Sequence, residues 1–228
     1  MKVLELFAGE RCIGKAFQKR GHEVFSVEWD RKHPDCSVYM DVNDLTAEFV
    51  LDKFGQPDVI WQSFDCTSFS VAGISHHRRL NPITKNLDPI SDYAKFCDKT
   101  DQHCIELTRQ LNPKFYFIEN PRGALRKMTW MRGMPRYTIT YCKYGDTRMK
   151  PTDIWTNHPD PQFKPPCKNG DPCHDRAPRG SRTGTQGLKG ATIRSLIPEA
   201  FCEHIVDICE EYIDSDNIPP VNDILTLF

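Results

Sequence analysis

The chain has 228 residues, 39% of them apolar, which is enough for one substantial core and too few for two comfortable domains. No stretch approaches the roughly 20 apolar residues of a membrane span, and MKVLELFAGE runs straight into a strand pattern with no signal-peptide architecture; a monomeric, cytoplasmic protein with no membrane partner is expected. The net charge of −1 conceals a segregation: residues 1–60 hold 8 Lys/Arg and 11 Asp/Glu, 61–194 hold 22 and 12, and 195–228 hold 0 and 8, so the middle of the chain suits an anionic partner.

KVLELF (2–7) is a short apolar run that meets Gly9. Ile13, Ala16 and Phe17 give CIGKAFQKR (12–20) helical spacing, Gly21 stops it, and HEVFSVEW (22–29) alternates as a strand does. The opening is therefore read as βαβ. Strands are expected at DVIWQ (58–62) and KFYFIE (114–119), each just after a proline, with a helix over 90–111 between them. RYTITYCKY (136–144) and TDIWTN (152–157) read as later strands, and 198–213 repeats apolar residues at helical spacing. Helices alternating with strands predict an α/β fold, a doubly wound, mostly parallel Rossmann-like sheet, in a single domain over 1–228. Residues 158–190, rich in Pro, Gly and charge, are expected to form a long basic functional loop.

The basic residues come with aromatic and glycine neighbours in HHRRLNP (76–82), PRGALRKMTWMRGMPR (121–136) and HDRAPRGSRTGTQGLKG (174–190). Such clusters neutralise phosphates and leave aromatics free to stack, which points to a nucleic acid. Ten scattered cysteines in a chain without an export signal read as reduced thiols. One of them is out of place for packing. Cys66, in SFDCTSFSVAG (63–73), sits in a polar turn just past an apolar strand, where open α/β sheets carry their chemistry.

ELFAGERCIG (5–14) reads as strand, glycine turn and helix start, and its backbone amides suit a polar part of a nucleotide-like ligand. Glu28 follows 19 residues after Gly9, about the interval at which an acid meets ribose hydroxyls, but Arg11 breaks the phosphate-binding glycine spacing. A ligand with an adenosine and no pyrophosphate suits this better.

Taken in order, LELFAG, VEWD, MDVND, FDCTSFSVAG, FIENP and RSLIPEAFCEHI make the sequence resemble the C5-cytosine DNA methyltransferases, especially compact phage and bacterial members. The resemblance covers nearly the whole chain, and its most specific part is the Cys-x-x-Phe-Ser-x-Ala-Gly segment paired with a later Glu-Asn-Pro. It implies S-adenosylmethionine as cofactor, DNA as partner, and methyl transfer to C5 of a flipped cytosine. Cys66 matches the nucleophile that adds to C6, and Glu119 the acid that holds and protonates N3, with Asn120 and Pro121 fixing its position. On the cofactor side the resemblance implies Phe7 and Gly9 at the first turn, Glu28 on the ribose, Trp29 against the adenine, and Asp41 near its amino group.

The departures are as informative. The family's Pro-Cys-Gln is Asp65-Cys66-Thr67 here, and its second glycine is Arg11. The Gln-x-Arg-x-Arg motif is degraded to Arg148, Lys150 and Thr152, leaving Arg148 or Lys150 as the cation for the cytosine oxygen. No large recognition domain is present, so base contacts are expected from short loops. Asp65 beside a cysteine that must ionise calls for a nearby cation, and an Arg11–Asp65 pair at the donor site is expected; an arginine there would suit carboxy-S-adenosylmethionine as an alternative donor. The same chemistry on RNA cytosine and a noncatalytic DNA-binding module are the other readings. An amino-group methyltransferase is disfavoured because FDCT stands where Asp/Asn/Ser-Pro-Pro-aromatic is needed. In CKNGDPCH (167–174), Cys167, Cys173 and His174 lack a usual zinc spacing and an evident fourth ligand, so no metal is expected. Cys97 and Cys104, seven apart on a helix face, read as core.

Overall fold

The computed structural model describes residues 1–176 and 190–214. It runs β1 (Lys2–Leu6), α1 (Cys12–Lys19), β2 (Glu23–Glu28), β3 (Val38–Tyr39), α2 (Ala47–Lys53), β4 (Val59–Ser63), α3 (Ile74–His77), β5 (Arg78–Leu80), β6 (Leu87–Pro89), α4 (Asp92–Leu111), β7 (Phe115–Pro121), β8 (Arg136–Thr140), β9 (Pro151–Thr156), α5 (Ala191–Ser195) and α6 (Glu199–Tyr212). Seven strands form one sheet in the order β3-β2-β1-β4-β7-β9-β8, in which β3, β2, β1, β4 and β7 are parallel and β9 is antiparallel to both its neighbours. This is the doubly wound, mostly parallel fold expected. β5 and β6 make a separate hairpin.

Helices on both faces explain why the central strands read as continuous apolar runs. Leu4, Leu6, Ile60, Tyr116 and Ile118 turn to one core with Cys104, Leu107 and Leu111 of α4; Val3, Val59, Trp61, Phe115 and Phe117 turn to the other with α1 and α6. Cys97 and Cys104 do lie in the core. In α4, Ser91 caps the start by accepting from the Ala94 amide at 3.1 Å, and Asn112 ends it in the left-handed conformation just before Pro113. Gly14 is obligatory in α1 for close packing: a Cβ there would sit 2.3 Å from a carboxylate oxygen of the buried Glu5, which accepts from the Gly14 amide at 2.8 Å.

One local expectation fails for a tertiary reason. The strand expected over 136–144 ends at Thr140, and Tyr141–Tyr144 coil into a 3-10 turn closed by Gly145 at φ 88°. The Tyr141 amide bonds to Met149 O at 3.0 Å, so the chain turns back into β9. The β5–β6 hairpin has no extended apolar run to announce it, since Leu80 and Ile83 are exposed. No described helix is long and apolar enough to cross a membrane. Residues 158–176 contain neither helix nor strand.

Candidate active site

Parallel strands point the same way, so their carboxyl ends open onto one crevice. β4 and β7 are hydrogen-bonded neighbours with Ser63 opposite Glu119, which sets the turn after β4, carrying Asp65 and Cys66, beside the Glu119 side of β7. The buried Asn120 locks the two together, its Nδ2 donating to Phe64 O at 2.9 Å. The turn itself is tight: the Phe69 and Ser70 amides bond to Cys66 O, and Gly123 is required beside it because a Cβ would meet Phe69 O at 2.4 Å.

Cys66 is partly exposed, whereas Glu119 is buried. Burial pushes the Cys66 thiol up to about 11, the Asp65 and Glu119 charges add to the rise, and Lys150 opposes it. Burial also raises the Glu119 carboxyl above its ordinary range, against Lys150 and the Tyr141 hydroxyl, which donates to Glu119 Oε1 at 2.9 Å. Burial thus disfavours the ionised form of both the thiol and the carboxyl, while Lys150 favours it. Lys150 lies with its ammonium 4.5 Å from the Tyr141 ring and donates to Arg194 O at 3.0 Å; burial lowers its pKa while Glu119 supports its charge.

The two cations proposed for the degraded motif thus part company. Arg148 is buried and committed elsewhere: its guanidinium grips Asp146, with Nε at 2.9 Å from Oδ1, and donates to the carbonyls of Ile193 and Arg194. Lys150 is the cation coupled to Cys66 and Glu119.

The expected Arg11–Asp65 pair does not form. Arg11, left-handed at φ 58° as the cap of α1, is buried on the far side of the first turn, where Nε donates to Ser26 Oγ at 3.0 Å, Nη1 to Asp35 O at 2.6 Å and Nη2 to Gln18 Oε1 at 2.9 Å. A buried guanidinium must satisfy its donors, and these partners do so while aiming it away from the crevice. Asp65 instead accepts from the Thr67 amide at 2.7 Å and from the Tyr93 hydroxyl.

The remaining donor-side positions gather at the ends of β1 and β2. Phe7, left-handed at φ 56°, stacks edge-on with Phe64 at 5.8 Å, and Gly9 donates its amide to Glu28 Oε2 at 2.9 Å. Glu28 Oε1 accepts from the Trp29 and Asp30 amides at 2.9 and 3.0 Å, so three of the carboxylate's roughly four acceptor sites are in use. Trp29 is 74% exposed, an indole with an open face. Asp41 is exposed and caps a short turn, accepting from Asn43 N at 2.9 Å.

Sequence reasoning missed Tyr141, which no motif marks, and Arg78, which it grouped with surface cations. Arg78 is buried; it donates to Ser68 O at 3.0 Å and to Asp98 Oδ2 at 3.1 Å, and lies 4.1 Å over the Phe69 ring, bracing the Cys66 turn. Asp98 and Asp101 falling on the stripe of Ala94, Cys97, Cys104, Leu107 and Leu111 at helical spacing were the available signal. Arg126 is likewise a structural cation, its Nε 2.8 Å from the buried Asp153. Arg79, Arg122, Lys127, Arg132 and Arg176 are exposed, whereas Arg179 and Arg182 lie outside the described residues.

The family model for C-5 cytosine-specific DNA methylases matches residues 1–130, more than half of the chain. No curated protein matches the sequence. Among solved structures, a DNA modification methyltransferase encoded within an E. coli prophage aligns with a TM-score of 0.50 at 17% identity, over 68% of this chain and 46% of that one. The S. pombe Dnmt2 methyltransferase aligns with a TM-score of 0.47 at 12% identity, over 68% and 48%. The chain thus spans about half the length of these solved relatives.

Proposed function

Because the chain belongs to the C-5 cytosine-specific DNA methylase family, we propose that it transfers a methyl group from S-adenosylmethionine to C5 of a cytosine in DNA, with Cys66 as nucleophile and Glu119 as acid. The observation that carries this reading is the locked pairing of the Cys66 turn with Glu119 across β4 and β7. Cytosine C5 is a weak nucleophile, and addition of a thiolate to C6 makes it an enamine carbon. A buried carboxyl whose pKa is raised can deliver a proton to N3 as that addition proceeds, a contribution typically worth about 10²–10⁴ in rate. Tyr141 orients that carboxyl by its hydrogen bond, and Lys150 supplies the positive charge that opposes the rise in the Cys66 pKa. The base must leave the duplex to reach the crevice, at a cost of a few kcal/mol.

The donor side fits the cofactor by its chemistry. S-adenosylmethionine, when bound, supplies an electrophilic methyl on a cationic sulfonium. Trp29 offers an open aromatic face for an adenine, Glu28 a carboxylate with one acceptor site to spare for a ribose hydroxyl, and Asp41 an exposed carboxylate for an amino group. Arg11, turned away to Ser26, Asp35 and Gln18, places no cation in the crevice, which removes the reason for invoking carboxy-S-adenosylmethionine. Exposed Arg79, Arg122, Lys127 and Arg132 would take the phosphates.

The test is covalent trapping. DNA carrying 5-fluorocytosine should give a denaturation-resistant adduct when donor is present; Cys66→Ser should give none, and Glu119→Gln should cut turnover by roughly 10²-fold or more with donor affinity unchanged. An equally abundant adduct with the serine variant would remove Cys66 from the role. Tritium release from 5-tritiated cytosine in RNA but not in DNA would reassign the substrate.

A further inference from the structure

The motif CKNGDPCH lacks a fourth ligand only along the sequence. In the fold, Cys142 of the 3-10 turn after β8 meets Cys167, Cys173 and His174, and their ligand atoms all lie within 4.8 Å of one another. No other such group of three or more gathers among the described residues. The Sγ atoms of Cys142 and Cys167 are 3.1 Å apart, those of Cys142 and Cys173 3.6 Å, and His174 Nδ1 lies 3.6 Å from both Cys167 and Cys173 Sγ.

These distances have a recognisable meaning. Zinc held tetrahedrally at about 2.3 Å from sulfur and about 2.0–2.1 Å from nitrogen sets neighbouring sulfurs roughly 3.8 Å apart and sulfur and nitrogen roughly 3.6 Å apart. The two sulfur–nitrogen separations of 3.6 Å agree, the Cys142 and Cys173 sulfurs need to open by about 0.2 Å, and the Cys142 and Cys167 sulfurs by about 0.7 Å. At 3.1 Å the closest pair is far outside the roughly 2.05 Å of a disulfide. Three thiols and an imidazole aimed at one point are not what core packing asks for, since buried thiols gain nothing from facing each other.

The chain is also folded to deliver them. Gly170 at φ 95° and the Lys168–Asp171 turn, with Lys168 N donating to Asp171 Oδ2 at 2.7 Å, bring Cys173 and His174 back onto Cys167. Thr140 Oγ1 accepts from the Cys167 amide at 3.0 Å, and its hydroxyl also reaches the Cys142 thiol, a supporting shell of the kind metal ligands have. The Asp175 amide bonds to Thr147 O at 2.8 Å, fixing the exit of the segment.

We propose that Cys142, Cys167, Cys173 and His174 form a tetrahedral structural zinc site that staples the 158–176 segment to the turn carrying Tyr141. Four protein ligands leave no open position, so the metal holds structure and performs no chemistry of its own. On binding, the three thiols give up their protons to solvent and His174 coordinates through Nδ1, keeping its proton on Nε2. The soft thiolate and imidazole set selects zinc over magnesium or calcium. The consequence is mechanical. Cys142 directly follows Tyr141, so the metal ties the segment leading to Arg176 to the residue that orients Glu119. The proposal is independent of the chemistry at Cys66.

The experiment is metal analysis of the full chain purified without chelator from zinc-supplemented cells. About one zinc per chain is expected, falling below roughly a tenth in Cys173→Ser and in His174→Ala, staying near one in Cys173→His, which restores a ligand, and in Cys36→Ser, which lies outside the cluster. Cobalt substitution should give thiolate-to-metal absorption that Cys142→Ser weakens. A parent chain with zinc below about a tenth of an equivalent and no such cobalt band, or equal zinc in parent and Cys173→Ser, would overturn the site.

Discussion

Asp65 poses the sharpest question at the level of single residues, because it sets a negative charge beside a thiol that must ionise. Arg11 does not answer it, being spent on Ser26, Asp35 and Gln18. The offset comes from Lys150, the one group among the main influences on Cys66 that brings a positive charge, while the Thr67 amide and Tyr93 hydroxyl spread the Asp65 charge. The thiol sits at about 11, so at mildly alkaline pH only a small fraction is thiolate, and that fraction rises with pH up to this value. Iodoacetamide labelling of Cys66 should therefore accelerate as pH rises. Asp65→Asn removes a like charge and should shift the profile to lower pH, labelling roughly threefold faster or more below the midpoint. Lys150→Gln removes the opposing cation and should shift it upward. Coincident profiles for all three proteins would show that burial alone sets the thiol.

Elements decide which cations can meet a phosphate. Arg122, Arg126, Lys127 and Arg132 are near neighbours in the sequence, yet the turns after β7 point Arg126 inward to Asp153 on β9 and leave the other three exposed. Replacing Arg122, Lys127 and Arg132 together by serine should leave stability nearly unchanged and flatten the salt dependence of DNA binding, reducing the slope of log K on log salt by up to about 2–3. Arg126→Ser should do the reverse. It strands the Asp153 carboxylate, whose side chain is 1% exposed, and should cost about 3–5 kcal/mol in urea unfolding. If the two variants behaved alike in both measurements, the division between structural and surface cations would be wrong.

At the scale of the molecule, the far end of the chain completes the site. The family match ends at residue 130, but Tyr141 and Lys150 lie beyond it. Lys150 donates to Arg194 O of α5, and Tyr141 packs against α6, whose Phe201 is fully buried, with its ring 4.9 Å from Tyr144, 6.0 Å from Tyr141 and 6.3 Å from Trp61. The acidic exterior of the helix docks on the basic end of α1, Lys19 meeting Glu203 at 2.9 Å and Arg20 meeting Asp207 at 2.9 Å. Exposed pairs of this kind are screened by solvent and contribute little, so packing dominates. Phe201→Ala should lower stability by about 3–5 kcal/mol and loosen the Tyr141 turn, whereas Lys19→Ser should leave stability nearly unchanged, both read by denaturant unfolding. Comparable losses would put the charge pairs on a par with the core.

What the sequence determined by itself was whatever is encoded locally and periodically. Apolar runs bounded by Gly and Pro placed β1, β2, β4 and β7, and the order of Cys66 and Glu119 along those strands marked the crevice, because a parallel sheet sends every strand end to one side. Pairings between distant residues were decided only by tertiary structure. Arg11 turning from Asp65 to Ser26, Arg148 committed to Asp146, Tyr141 reaching Glu119, and Cys142 joining Cys167, Cys173 and His174 across 25 or more residues all depend on where a side chain points once the backbone has folded. Spacing along a chain carries no information about that direction.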